Sequence, residues 1–124
     1  MIFVCGIKAQ TKASLVTTTT YGNTLDTVVN TASKVTTPLI IGAWKLGVTA
    51  QVIVTKISGT VGGSIGLYGS MDGTNFNLIG SASTPSDASA NYSFNTTAAW
   101  KYYQVKYTGT GTMSASMKTY IMPY

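Results

Sequence analysis

Apolar and polar residues alternate along most of this chain with a period of two, the spacing of strands that turn one face to a core. The strongest case is 48–58, where Val48, Ala50, Val52 and Val54 alternate with Thr49, Gln51, Ile53 and Thr55. Both sets contain apolar residues, so the pattern predicts a central strand covered on each side. Gly62-Gly63 opens a run from Ser64 to Ser70 with Ile65 and Leu67 on one face. Asn91 to Thr97 carries Tyr92 and Phe94, and Trp100 to Thr108 sets Tyr103, Val105 and Tyr107 against Tyr102, Gln104 and Lys106. Thr112 to Met122 sets Met113, Ala115, Met117 and Ile121 against Ser114, Ser116 and Lys118. Shorter runs lie at Thr24 to Ser33, with Leu25, Val28 and Val29, at Pro38 to Ile41, and at Asn75 to Gly80, where Phe76 and Leu78 are expected inward.

Between the runs stand turn formers. Met71-Asp72-Gly73-Thr74 is a hairpin signal, because Asp-Gly tolerates the positive φ that a tight turn requires. Ser81 to Ala90, with Pro85, Ser86 and Asp87, reads as a loop. Seven or so strands with hairpin-length links predict an all-β fold, an antiparallel β-sandwich of Greek-key or jelly-roll type. Residues 1–23 differ from the rest: a short apolar start, then Lys8 to Lys12, Leu15-Val16 and four threonines, with no helical period. They are expected to form an extended N-terminal arm before a sandwich domain at 24–124. The arm's apolar tip would add a strand to a neighbouring subunit, or pair within its own domain. That tip is too short to cross a bilayer and lacks the basic start of a signal peptide, so no membrane partner is expected.

Composition narrows the chemistry. At 124 residues the chain is the size of one domain. Its charged residues are eight lysines and three aspartates, 9% of the chain against an ordinary figure of about 25%. There is no Arg, Glu or His. A Ser-His-Asp triad and a His-ligated zinc site are therefore excluded. So is guanidinium readout of bases, and sequence-specific nucleic-acid binding is not expected. A surface so poor in charge repels its neighbours weakly, and we read it as one that other subunits cover. The net charge of +5 comes from scattered lysines, with no run that would mark a basic stripe. Cys5 is the only cysteine, so no internal disulfide forms.

Candidate sites are few. Gly59 to Gly66 is glycine-rich, but a strand follows where a phosphate cradle needs a helix N-terminus, so it reads as a corner between strands. Asp26, Asp72 and Asp87 are spread along the chain, and two of them stand where turns favour Asp. One carboxylate beside Thr74 and Asn75 is thin support for calcium, so no catalytic residue, metal or cofactor is expected. Asn91-Tyr92-Ser93 and Asn95-Thr96-Thr97 match the glycosylation pattern and are taken as chance matches. Trp44, Tyr68, Phe76, Trp100, Tyr102 and Tyr103 include the makings of a sugar-stacking platform, although a sandwich this size needs most of its aromatics inside.

One stretch resembles a known group. Ser58-Gly59-Thr60 as a corner, a strand ending in Gly69-Ser70, and then Asp72-Gly73-Thr74-Asn75-Phe76 resemble a pattern in small virion structural proteins of tailed bacteriophages, crAss-like and related phages. Tyr102 to Val105 and Gly109 to Ala115 are similar to the final hairpin of those chains, and the likeness spans roughly residues 48 to 120. It implies a non-enzymatic building block of a capsid or tail. The expected function is a capsid decoration or auxiliary protein located on the virion. Its partners would be other virion proteins, the major capsid protein or tail subunits, and it would be a homo-oligomer or lattice-bound. A tail, neck or fibre component and a carbohydrate-binding module for host attachment are the alternatives. Ile2, Phe3 and Val4 in the arm, with Trp44 and Trp100 at loop edges, are the expected contact residues.

Overall fold

The computed structural model describes residues 14–16, 26–40 and 46–124. Ten strands are formed among them: β1 (Ser14–Val16), β2 (Asp26–Val29), β3 (Ser33–Val35), β4 (Leu39–Ile40), β5 (Val48–Gly59), β6 (Ser64–Ser70), β7 (Asn77–Leu78), β8 (Ala90–Thr96), β9 (Tyr102–Thr108) and β10 (Met113–Pro123). They make two antiparallel sheets. The first has the order β1-β10-β5-β8, with β2 also on β10; the second has the order β3-β9-β6-β7, with β4 also on β9.

The winding follows from one turn. Asp72 accepts hydrogen bonds from the backbone N–H of Thr74 and Asn75, both at 2.8 Å, and Gly73 takes a φ of 78°. This closes β6 onto β7. Outward from that tip, β5 pairs with β8, β3 and β4 with β9, and β2 with β10. Folding the long hairpin over on itself brings β10 beside β5 and β9 beside β6. That is a jelly roll, and the sandwich expected from the strand pattern is the one observed.

The core lies between the sheets. Val48, Ala50, Val52 and Val54 of β5 and Met113, Ala115, Met117 and Ile121 of β10 face Ile65 and Leu67 of β6 and Tyr103, Val105 and Tyr107 of β9. Thr36 bridges the gap between β3 and β4: its N–H donates to the Val105 carbonyl, and its hydroxyl accepts from the Val105 N–H, each at 2.9 Å. It thus continues the ladder with a side chain where no strand is formed.

Three local expectations are corrected. The run from Thr24 to Ser33 is two strands in different sheets, because Asn30 adopts a φ of 53° and turns the chain. Its side chain secures the corner by accepting from the Met113 N–H at 3.1 Å. Leu78 does not point inward; it is 42% exposed, and Ile79 packs on the core instead. With β7 only two residues long, its phase is set by the Asp72 turn. Finally, β5 is central but covered on one face only: Gln51, Thr55 and Ile57 are exposed on the other.

Candidate interaction surface

With β5 covered on one side, its second set of apolar residues lies on the outer face of the first sheet. There Thr49 stands opposite Met122, Gln51 opposite Tyr120, and Ile53 opposite Lys118. The first two of these cross-strand pairs line a shallow concavity of about 290 Å³. Directly opposed pairs lie about 5 Å apart, so Tyr120 and Met122 wall the hollow from β10 while Thr49 and Gln51 wall it from β5. Ile57, 56% exposed, extends the apolar character toward the other end of β5. Lys118 sits 5.9 Å from the centre of the Tyr120 ring.

Tyr124 closes the near end of this face. Its N–H and carbonyl bond to Gly47, and its hydroxyl donates to Asn95 Oδ1 at 3.1 Å, reaching past β5 to β8. Position 47 must be glycine for this, since a Cβ there would run into the Thr96 carbonyl oxygen and lie 2.8 Å from the tyrosine ring.

The outer face of the second sheet is built differently. Tyr68 pairs with Gln104 and Ser70 with Tyr102, so the two tyrosines are diagonal neighbours on adjacent strands. Lys106 lies 5.6 Å from the Tyr68 ring centre and Lys101 lies 5.4 Å from that of Tyr102, which are cation–π distances. Leu78 folds over Gly66, where a Cβ would come within 2.6 Å of it.

The carboxylates belong to turns. Beyond its two backbone bonds, Asp72 accepts from the Ser70 hydroxyl and the Asn75 amide, both at 2.8 Å. These bonds, led by the two backbone N–H groups, hold its carboxyl far below the usual range. Asp87 pairs with Lys56 at 2.9 Å and accepts from the Val61 N–H at 2.8 Å, and it too is lowered. The glycine-rich stretch is a corner, with Gly59 and Gly63 at positive φ. Among the described residues no group of three or more His, Cys, Asp or Glu comes together, and no helix is long and apolar enough to cross a membrane.

Trp100 is half-buried and packs on the core over Gly69, whose hypothetical Cβ would lie 2.5 Å from the indole. The Trp100 backbone N–H donates to the Tyr103 hydroxyl at 2.9 Å, and that hydroxyl donates to the Ala98 carbonyl. Ile2, Phe3, Val4, Cys5 and Trp44 lie outside the described residues, as does the segment 1–23 apart from β1, which pairs with residues 119–121 of β10. The outer-face hollow was missed in sequence because Ile53, on the second phase of 48–58, made that strand read as covered on each side. The signal was present in Tyr120 and Met122, apolar residues on the polar phase of the last strand.

No protein-family model matches the chain, and no curated protein matches it. Among solved structures it is similar to a chain from Bacillus endospore appendages, described as a novel family of disulfide-linked pili. That likeness has 12% identity and a TM-score of 0.41, over 100% of this chain and 97% of the other. At that identity and score it carries no functional argument.

Proposed function

We propose that the chain is a structural protein of a bacteriophage virion, a capsid decoration or auxiliary protein that seats on the capsid lattice. The observation that carries this reading is the outer face of the first sheet. Tyr120, Met122, Ile53 and Ile57 are placed where a solvated sheet carries polar residues, and Tyr120 and Met122, with Thr49 and Gln51, line a hollow of about 290 Å³. The sequence resemblance over residues 48 to 120 supports the same reading, and low charge suits a surface that neighbours cover. Many weak contacts repeated over a lattice hold by avidity, so no single strong site is needed. Ile2, Phe3 and Val4 would lace into a neighbour, with Trp44 and Trp100 at the rims.

Quantitative mass spectrometry of purified particles, scored as copies of this chain per portal, tests it. Hundreds of copies are expected on a capsid lattice. A dozen or fewer would make the chain a neck, tail or fibre component, and absence from particles would overturn the virion reading. The diagonal pair Tyr68 and Tyr102 favours a second reading, a carbohydrate-binding module, in which sugar rings stack on the tyrosines after displacing Lys106 and Lys101. Saturable sugar binding lost in Tyr68→Ala would support it; no binding to a panel of host glycans would end it.

A further inference from the structure

The edges of the two sheets are unequal. The second sheet ends on one side in β3 and β4, three and two residues long, and on the other in β7, two residues long, with a single bridge from Ile65 to Ser83. The first sheet ends on one side in β1 and β2, three and four residues long. Short edge strands are how folded proteins keep unpaired N–H and C=O groups from capturing other chains. β8 is the exception. Its seven residues pair with β5 without a break from Val48–Thr96 to Val54–Ala90, and no described strand lies on its other side. It contains no lysine, no proline and no bulge, the devices that guard an edge.

A donor of the right kind lies in the same chain. Residues 1–13 precede β1 and include the uncharged run Ile2 to Ile7, then the polar stretch from Lys8. β1 sits on the sheet edge opposite β8, so a single copy presents donor and acceptor on opposite sides. Ser14 pairs with Ile121, so the chain enters β1 at the end of the sheet where Pro123, Val48 and Thr96 also lie. To reach the free edge of its own β8 it would cross four strand spacings, about 19 Å, over that end. Tyr124 occupies this path, tied to Gly47 by its backbone and to Asn95 by its hydroxyl. A second copy offers a β8 edge on which no described strand lies, and thirteen extended residues span up to about 45 Å.

We propose that the free edge of β8 is the acceptor for residues 1–13 of a second copy, which add to the first sheet as a further strand. Main-chain hydrogen bonds would supply the affinity, as in other strand additions. Because donor and acceptor occupy different edges, each donated strand makes a heterologous contact: copies join into a closed ring, of which a reciprocal exchange between two copies is the smallest, or into an open chain. The inference deepens the lattice reading and rests on it for the supply of neighbours, but its test needs no particle.

Amide hydrogen exchange is followed across 90–96 in the purified full chain and in a chain lacking residues 2–12, with the mass in solution measured over a range of concentrations. The full chain is expected to associate as concentration rises, with β8 amides exchanging about tenfold or more slowly than in the truncated chain. A synthetic peptide of residues 1–13 should restore that protection in trans. Equal exchange with and without the arm overturns the proposal, and so does protection in a full chain that stays monomeric. Should the truncation fail to fold, the full chain carrying Asn91→Lys and Ser93→Lys replaces it, since both positions are exposed. These lysines should reduce association and unprotect the edge, and unchanged association would refute the assignment. Absence of the chain from particles, by contrast, would retire the lattice reading while leaving a positive exchange result standing.

Discussion

Gly69→Ala tests how Trp100 packs on the core. Gly69 pairs with Tyr103 in the middle of the second sheet, and the Trp100 indole rests against it. A Cβ at position 69 would lie 2.5 Å from Trp100 Cγ and 2.8 Å from both Cδ1 and Cδ2. Carbon atoms pack at about 3.5–4.0 Å, so the ring must retreat by roughly 1 Å. Overpacking of this kind costs about 1–3 kcal/mol. The backbone of Gly69 is not in the left-handed region, so alanine returns about 0.4–1 kcal/mol by restricting the unfolded chain. The net expectation is a loss of about 1–2 kcal/mol, or a Tm lower by about 4–8 °C for a domain of this size. The decisive assay is a double-mutant cycle by denaturant melts. In a Trp100→Ala background the obstacle is gone, so Gly69→Ala should be neutral or slightly stabilising, leaving a coupling of about 2 kcal/mol. An equal cost in both backgrounds would refute the packing of Trp100 on Gly69.

Thr119 is fully buried between β1 and β5, and its hydroxyl finds no hydrogen-bond partner among the described residues. Thr119→Val should therefore raise stability by about 1 kcal/mol in a thermal melt; a loss would mean that the hydroxyl is satisfied. Asp72 and Asp87 have carboxyl pKa values lowered by their hydrogen bonds, so their contribution is complete above the unfolded value near 4 and is lost as pH falls below it. Tm measured from pH 7 down to 2 should fall less steeply in the Asp72→Asn, Asp87→Asn double variant than in the parent. Burial pushes the Tyr107 phenol up to about 12, favouring its neutral form in the fold. Its contribution is thus intact below pH 10 and disappears between pH 10 and 12, and Tyr107→Phe should flatten that part of the stability profile. At neutral pH the same variant should lose about 1 kcal/mol with the bond to the Gly62 carbonyl.

The strands that could be read from the sequence are those whose alternation is long enough to fix a phase. β5, β6, β8, β9 and β10 fall within two residues of their expected limits, because one slip would turn every core side chain outward. β2 and β3 were merged because Asn30 supplies its corner with a left-handed backbone that other residues seldom adopt, and only its own side chain marks the site. Leu78 and Ile79 were exchanged because two paired residues carry no phase of their own. The turn at Asp72 was legible as chemistry, since Asp-Gly dictates the geometry locally. The hollow and the open edge were not, because they depend on which strands become neighbours. Nothing in Ala90 to Thr96 says that β8 will be last in its sheet.

That last point bears on why the molecule carries so few charges. A jelly roll whose outer faces were both solvated could place lysines on every exposed strand at little cost. Here β10 has one lysine on its outer phase, β9 one, and β8 none, although β8 is the edge most open to aggregation. The outer residues of β8 are Asn91, Ser93 and Asn95, which are neutral and compatible with a further strand alongside. An edge left unguarded over seven residues is a liability in a protein that stays alone and an asset in one that meets copies of itself at high local concentration. The same reasoning applies to the first sheet's outer face, where Tyr120 and Met122 replace the serines that begin β10. From Ser114 and Ser116 through Lys118 to Tyr120 and Met122, one strand passes from a wettable surface to an apolar one. The apolar end is the end at which the chain enters β1. Edge and face would therefore act together: a neighbour held by the donated strand at β8 brings further surface to the hollow, so the two contacts would reinforce one another.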